Sequence, residues 1–169
     1  MGSNRRPATE AEAKALASST RLRIIRMCLD RALTNKEIAE RLDLNPATAL
    51  HHVRTLVSAG FLVPQEARRG PRGSREVPYL STGKSWELTV GEEKDPSQAI
   101  LQAFQEELAL LGDRPANFAR LGLRLTEEEW QELQDRFSEL MDEYAARGRG
   151  GPGRPYSIFL ALYEDPSRD

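Results

Sequence analysis

Two histidines stand side by side at His51 and His52, and the chain holds no others. Adjacent imidazoles are the residue type for a metal-ligand pair or for proton transfer near neutral pH. Either chemistry needs partners, and none is spaced to supply them. A soft-metal site would need thiolates, but the one cysteine, Cys28, lies on an apolar pattern with Ile24, Ile25 and Leu29 and reads as a small buried hydrophobe. No Ser/His/Asp, Cys/His or paired-carboxylate arrangement stands out as catalytic. Glu127, Glu128 and Glu129 form a favourable charge cluster for the first turn of a helix. Gly83-Lys84-Ser85 has the ending of a phosphate-binding loop, but Pro78 stands where the earlier glycine belongs. The expectation is a protein that is not an enzyme and takes no cofactor and no metal.

The elements around the histidines give them another use. Thr34 and Glu37 match a Thr-x-x-Glu capping box, so a helix starts there, with Ile38, Ala39 and Leu42 as its apolar face. Asp43-Leu44-Asn45 makes a three-residue turn. Asn45 is a good N-cap and Pro46 a good first helical residue, which predicts a second helix from Pro46 to about Ala59, stopped by Gly60. At 100° per residue, Ala49, Val53, Leu56 and Val57 share the buried face. Ala47, His51, Arg54 and Ser58 fall opposite, with Thr48 and Thr55 beside them and His52 nearer the core edge. Such a pair is a helix-turn-helix, and its polar face suits a DNA major groove. Thr48 and His51 can bond base edges, Arg54 a base or phosphate, and Asn45, Ala47, His52 and Thr55 complete the expected DNA-binding set. His52 reads equally as a hydrogen-bonded core-edge residue.

Phe61 to Val63 then reads as a strand, "ARRGPRGSR" as an exposed turn, and "EVPYL" as a returning strand. Pro64 and Pro78 predict an edge hairpin and not a central sheet. Arg68, Arg69, Arg72 and Arg75 crowd its tip. A basic hairpin behind a helix-turn-helix is a wing, spanning 64–78, whose arginines should meet phosphates or the minor groove.

The stretch "ALASSTRLRIIRMCLDRALTNKEIAERLDLNPATALHHVRTLVSAGFLVPQEARRG" resembles the winged helix-turn-helix of the ArsR-type bacterial transcription regulators. The carrying features are "STRLRIIRMC", "ATALHHVRTLVSAGFL" and the glycine-rich basic wing. The resemblance implies that the histidine pair belongs to a DNA-reading helix. Metal-sensing members place a Cys-x-Cys pair where this chain has Asn35-Lys36-Glu37, so the resemblance is to the branch that does not sense metals. Leu50 and Pro46 depart from the family pattern, so no base preference carries over.

Charge divides the chain. Residues 1–90 hold 15 Lys+Arg and 9 Asp+Glu, a balance of +6; residues 91–169 hold 9 and 17, a balance of −8, and the two sum to the formal −2. The first half can approach a polyanion, while the second should repel one. No apolar run is long enough for a membrane helix, and the N-terminus lacks the apolar region of a secretory signal. With one cysteine, a cytoplasmic location and no membrane partner are expected.

Two domains are expected, a winged helix-turn-helix at 12–91 and a dimerisation or effector region at 95–169. In the latter, Asp95-Pro96 starts a helix with Ile100, Leu101, Phe104, Leu108 and Leu111 as its stripe, ended by Gly112. Phe118, Leu121, Leu123 and Leu125 read as a short strand. Thr126 and Glu129 cap a helix whose Trp130, Leu133, Phe137, Leu140 and Tyr144 form a heptad seam, either an intrachain core or a dimer contact. Tyr156 to Tyr163 alternates like a final strand. The fold class is therefore α+β, a winged helix-turn-helix with a small α/β region behind it. The function expected is sequence-specific binding of double-stranded DNA by a homodimeric transcription regulator, because a two-fold protein matches paired half-sites. An unidentified small-molecule effector, in a pocket lined by Trp86, Phe104 and Trp130, fits the same reading. The alternative is a winged-helix protein-interaction module that does not read DNA sequence.

Overall fold

A computed structural model describes residues 5–70, 73–89, 96–148 and 153–168. Its helices are α1 (Glu10–Leu16), α2 (Ser19–Met27), α3 (Asn35–Leu42), α4 (Pro46–Ser58), α5 (Ser97–Leu108) and α6 (Glu127–Ala146). The strands are β1 (Arg6–Pro7), β2 (Leu33–Thr34), β3 (Leu62–Pro64), β4 (Arg68–Arg69), β5 (Arg75–Glu76), β6 (Pro78–Ser81) and β7 (Leu88–Thr89). The chain is α+β, a winged helix-turn-helix followed by a C-terminal region. It divides into two compact units, one running to Leu110 and the other from Leu111 onward.

In the N-terminal unit, local signals set the helix ends. Thr9 and Glu12, and again Thr34 and Glu37, form reciprocal capping boxes at the starts of α1 and α3. The turn after α3 uses Asp43 at φ 52°, a left-handed conformation that a short polar side chain tolerates, and the Leu44 amide donates back to the Ala39 carbonyl at 2.9 Å. Asn45 Oδ1 accepts from the Ala47 amide at 2.8 Å, and Pro46 opens α4. Gly60, at φ 75°, ends the helix by turning the chain so that the Phe61 amide reaches the Leu56 carbonyl at 2.8 Å. The core gathers Ile24 and Cys28 from the α2 segment, Leu33, Ile38 from α3, Val53 and Leu56 from α4, and Phe61. Burial pushes the Cys28 thiol up to about 12, so it packs as a hydrophobe and carries no thiolate near neutral pH.

The sheet corrects one expectation. β6 is the central strand of a three-stranded antiparallel sheet, ordered β2-β6-β3, and not half of an edge hairpin. Pro78 sits at the first residue of β6, where a missing N–H removes one rung only, and its carbonyl still accepts from the Gln65 amide at 2.8 Å. The strand that makes β6 central is β2, Leu33–Thr34, two residues long and too short to show any periodicity.

A second correction concerns α5. Its helix was expected in the C-terminal region, yet it belongs to the N-terminal unit and packs on α2. Arg23 donates to Glu106 at 2.9 Å, Arg26 pairs with Glu107 at 2.8 Å, and Ser19 reaches Glu106 at 3.3 Å. These partners lie more than eighty positions apart, which is why spacing along the sequence does not reveal them. The helix also ends at Leu108, before Gly112, and its expected cap Asp95 lies outside the described residues.

The C-terminal unit has α6 as its one long element, opened by the expected Thr126–Glu129 capping box. The expected strands at Phe118 to Leu125 and Tyr156 to Tyr163 are absent among the described residues, and most of their apolar side chains are exposed. Alternation gives a segment two faces, but a strand also needs a neighbour to take its backbone hydrogen bonds. On α6, Trp130, Leu133 and Phe137 are half-buried, while Leu140 and Tyr144 are exposed.

Candidate nucleic-acid interface

α4 presents one outer strip. Asn45, Ala47, Thr48, His51 and Arg54 are exposed, Thr55 is half-buried, and Ala49, Val53 and Leu56 are buried behind them. The strip is anchored at both ends. At the N-terminal end Asn35 of α3 donates to the Pro46 carbonyl at 2.9 Å, fixing the angle between the two motif helices. At the C-terminal end Lys84 Nζ donates to the Ala59 carbonyl at 2.8 Å, a cation on the negative end of the helix. Within the strip, the Thr55 hydroxyl donates to the His51 carbonyl at 3.0 Å, which turns its donor inward.

The histidine pair separates. The rings lie 5.8 Å apart at 60° to each other, edge on. His51 faces outward, whereas His52 is half-buried, with Nδ1 enclosed and without a hydrogen-bond partner among the described residues. Burial, then the nearby Arg21 charge and then His51, hold the His52 imidazole below its ordinary value, so it favours the neutral form. Among the described residues no group of three or more His, Cys, Asp or Glu side chains is placed to hold a metal ion.

The arginines of the wing also fall into two kinds. Arg68 and Arg69 lie in β4 and Arg75 in β5, so they flank the turn and do not crowd its tip as expected; Arg72 lies outside the described residues. Arg69 and Arg75 are exposed. Arg68 is exposed as well but is paired, 3.1 Å from Glu37 on α3 and 4.0 Å from Glu76 on β5.

Lys84, in the Gly83-Lys84-Ser85 turn, has a role that its sequence context does not signal. Gly83 takes φ 84° and starts a short 3-10 turn, Lys84–Glu87, which aims Lys84 at the end of α4. There Lys84 also pairs with Glu12 at 2.6 Å. Glu12 is 5% exposed and accepts from Arg6 at 2.7 and 2.9 Å and from the Thr9 amide at 2.8 Å. Those bonds, led by Arg6 and then Lys84, hold the Glu12 carboxyl far below the usual carboxylate range. The Thr9-x-x-Glu12 spacing is a readable signal for the cap, but nothing in the sequence joins Glu12 to Lys84. Trp86, on the same turn, lies under the Arg5 guanidinium at 4.0 Å. Trp86 and Phe104 belong to the N-terminal unit and Trp130 to the other.

Residues 16–65 match the family profile described as "Helix-turn-helix domain". That segment is similar to a helix-turn-helix domain. The match takes in α2, β2, α3, α4 and β3, so the helix carrying the outer strip lies inside it. Among solved structures, the chain is similar to reduced HlyU from Vibrio cholerae at 22% identity, over 56% of this chain and 84% of that one, with a TM-score of 0.37. It is similar to Mb0332 from Mycobacterium bovis at 25% identity, over 62% and 82%, with a TM-score of 0.33; that fragment is described as a homodimeric winged helix-turn-helix DNA-binding domain of a possible ArsR-family regulator. ZitR of Lactococcus lactis, in complex with DNA, is 18% identical over 75% and 74%, with a TM-score of 0.33. At these TM-scores the likenesses transfer no residue role to this helix-turn-helix domain. No curated protein matches the chain. No helix among the described residues is long and apolar enough to cross a membrane.

Proposed function

We propose that this chain is a transcription regulator that binds double-stranded DNA as a homodimer, in the manner of the ArsR-type branch that does not sense metals. The supporting observation is the outer strip of α4, where Thr48, His51 and Arg54 stand exposed in a row on a helix fixed at both ends. In this reading α4 enters the major groove, Thr48 and His51 bond base edges, and Arg54 takes a base or phosphate. Asn45 and Ala47 lie at the groove-facing start of the helix, Thr55 supports it, and His52 stays neutral at the edge of the core. The basic wing follows the backbone. The second copy joins through residues beyond Leu110, where Trp130, Phe137 and Leu140 supply apolar surface.

Selection of bound sequences from a random duplex pool, followed by affinity measurements on the selected site, tests the reading. His51→Ala and Arg54→Ala should each weaken specific binding by about 1–3 kcal/mol. Unchanged affinity in both variants would remove α4 from the groove. Sedimentation should give a dimer for the parent and a monomer for Leu140→Glu, since an unpaired carboxylate is costly among apolar side chains. A monomeric parent refutes the dimer.

A further inference from the structure

The wing is a two-stranded ladder in which Arg68 opposes Glu76 and Arg69 opposes Arg75. Successive residues of a strand point to opposite faces, so the two pairs occupy different sides of the wing. On one side the charges are satisfied within the protein. Arg68 meets Glu37 and Glu76, and the Glu37 carboxyl is held below its ordinary value, first because it accepts from the Thr34 amide at 2.7 Å, with Arg68 adding to the effect. Gly70 makes this closure feasible. A side-chain carbon there would fall 2.5 Å from the Glu76 carboxylate carbon and 2.6 Å from the Ser74 hydroxyl, so any other residue would push these two side chains aside.

On the other side two arginines, Arg69 and Arg75, are paired directly across the ladder. Like charges in that position are unfavourable unless something neutralises them, and no described residue forms an ion pair with either. The adjoining hollow, about 710 Å³ and open to solvent, is lined by Arg69, Ser74 and Arg75, with Gln65 and one acid, Glu66; Arg68 also borders it, but its guanidinium is paired with Glu37. Arginine forks match phosphate oxygens in a bidentate fashion, and an anion between two of them removes their repulsion.

We infer that the wing divides its arginines: Arg69 and Arg75 form a clamp for the phosphate backbone of the duplex, while Arg68 is a positioning residue that ties the wing to α3 through Glu37. This rests on the DNA-binding reading and deepens it, because it assigns the backbone contact to one face of the wing and removes Arg68 from it. An acidic residue of the helix-turn-helix, Glu37, thereby sets where the basic wing is aimed.

The test is a salt titration of duplex binding by the full-length parent, Arg68→Gln, Arg69→Gln and Arg75→Gln, with amide hydrogen exchange of the free proteins. Removing one arginine–phosphate pair flattens the slope of log K against log salt by roughly 0.9. Arg69→Gln and Arg75→Gln should each show that change while the wing amides exchange as in the parent. Arg68→Gln should keep the parent's slope and speed exchange of the amides of β4 and β5 several-fold. Equal flattening in all three variants, or none in Arg69→Gln and Arg75→Gln, overturns the division. So does unaltered exchange in Arg68→Gln. Those outcomes leave DNA binding standing, whereas a parent with no salt-dependent duplex binding overturns both.

Discussion

In the N-terminal unit Ile24, Leu33, Ile38, Val53, Leu56 and Phe61 are almost closed to solvent, while in the C-terminal unit no described residue is buried. Both halves carry helices with good capping boxes and regular apolar spacing. The difference lies in what meets the apolar face. α2, α3, α4 and α5 pack on one another and on a three-stranded sheet, so each stripe finds a second layer. α6 has its stripe, but Leu121, Leu123, Tyr156 and Ile158 of the same unit remain exposed. Periodicity thus marks a face as ready for burial without supplying the surface that buries it.

Three measurements can break or sharpen this contrast. The chain has two tryptophans, Trp86 in one unit and Trp130 in the other, so Trp130→Phe and Trp86→Phe backgrounds report each unit separately. In the first background Phe61→Ala, at a site 1% exposed, should cost about 3–5 kcal/mol in denaturant unfolding. In the second, Phe137→Ala should cost less than half of that. Equal losses would mean that Phe137 is as buried as Phe61, in a core of its own unit or against the second copy.

Truncation probes where the units part. A chain ending at Leu110 should unfold as cooperatively as the N-terminal unit does in the intact protein. One ending at residue 95 lacks α5 and its pairs with Arg23 and Arg26. It should lose on the order of 3 kcal/mol, seen as a lower thermal midpoint. Identical midpoints for the two fragments would return α5 to the C-terminal region.

The smallest effect concerns acid. Glu12 titrates below its ordinary value, near 4.5, so its contribution is present above that pH and fades as pH falls beneath it. Glu12→Gln should lose about 2 kcal/mol at pH 7, where charge-assisted bonds to Arg6 and Lys84 are removed. Thermal midpoints of parent and variant should converge as pH drops from 5 to 3. Parallel midpoints across that range would show that the Glu12 charge does not matter.

Much of the candidate interface was legible because its signals are short-range. Thr34 with Glu37, Asn45 before Pro46, and Gly60 act within one helical turn, and they fix which residues of α4 face away from Val53 and Leu56. The histidines are adjacent in the sequence but not equivalent, since a step of 100° sends His51 outward and leaves His52 at the edge. Arg68 looks like its three neighbours in a basic run. Its partner lies 31 positions away on another helix, beyond the reach of spacing arguments.

By itself the sequence determined the helices of the motif, their caps, the outward strip of α4 and the basic hairpin behind it. All follow from backbone geometry and hydrogen bonds closed within a few residues. Tertiary structure alone decided that β6 is central, that α5 covers α2, that Lys84 and Glu12 hold the end of α4, and that Arg68 is committed to Glu37. These are pairings between distant segments, and their free energy arises only when the fold brings both partners together and takes them out of water.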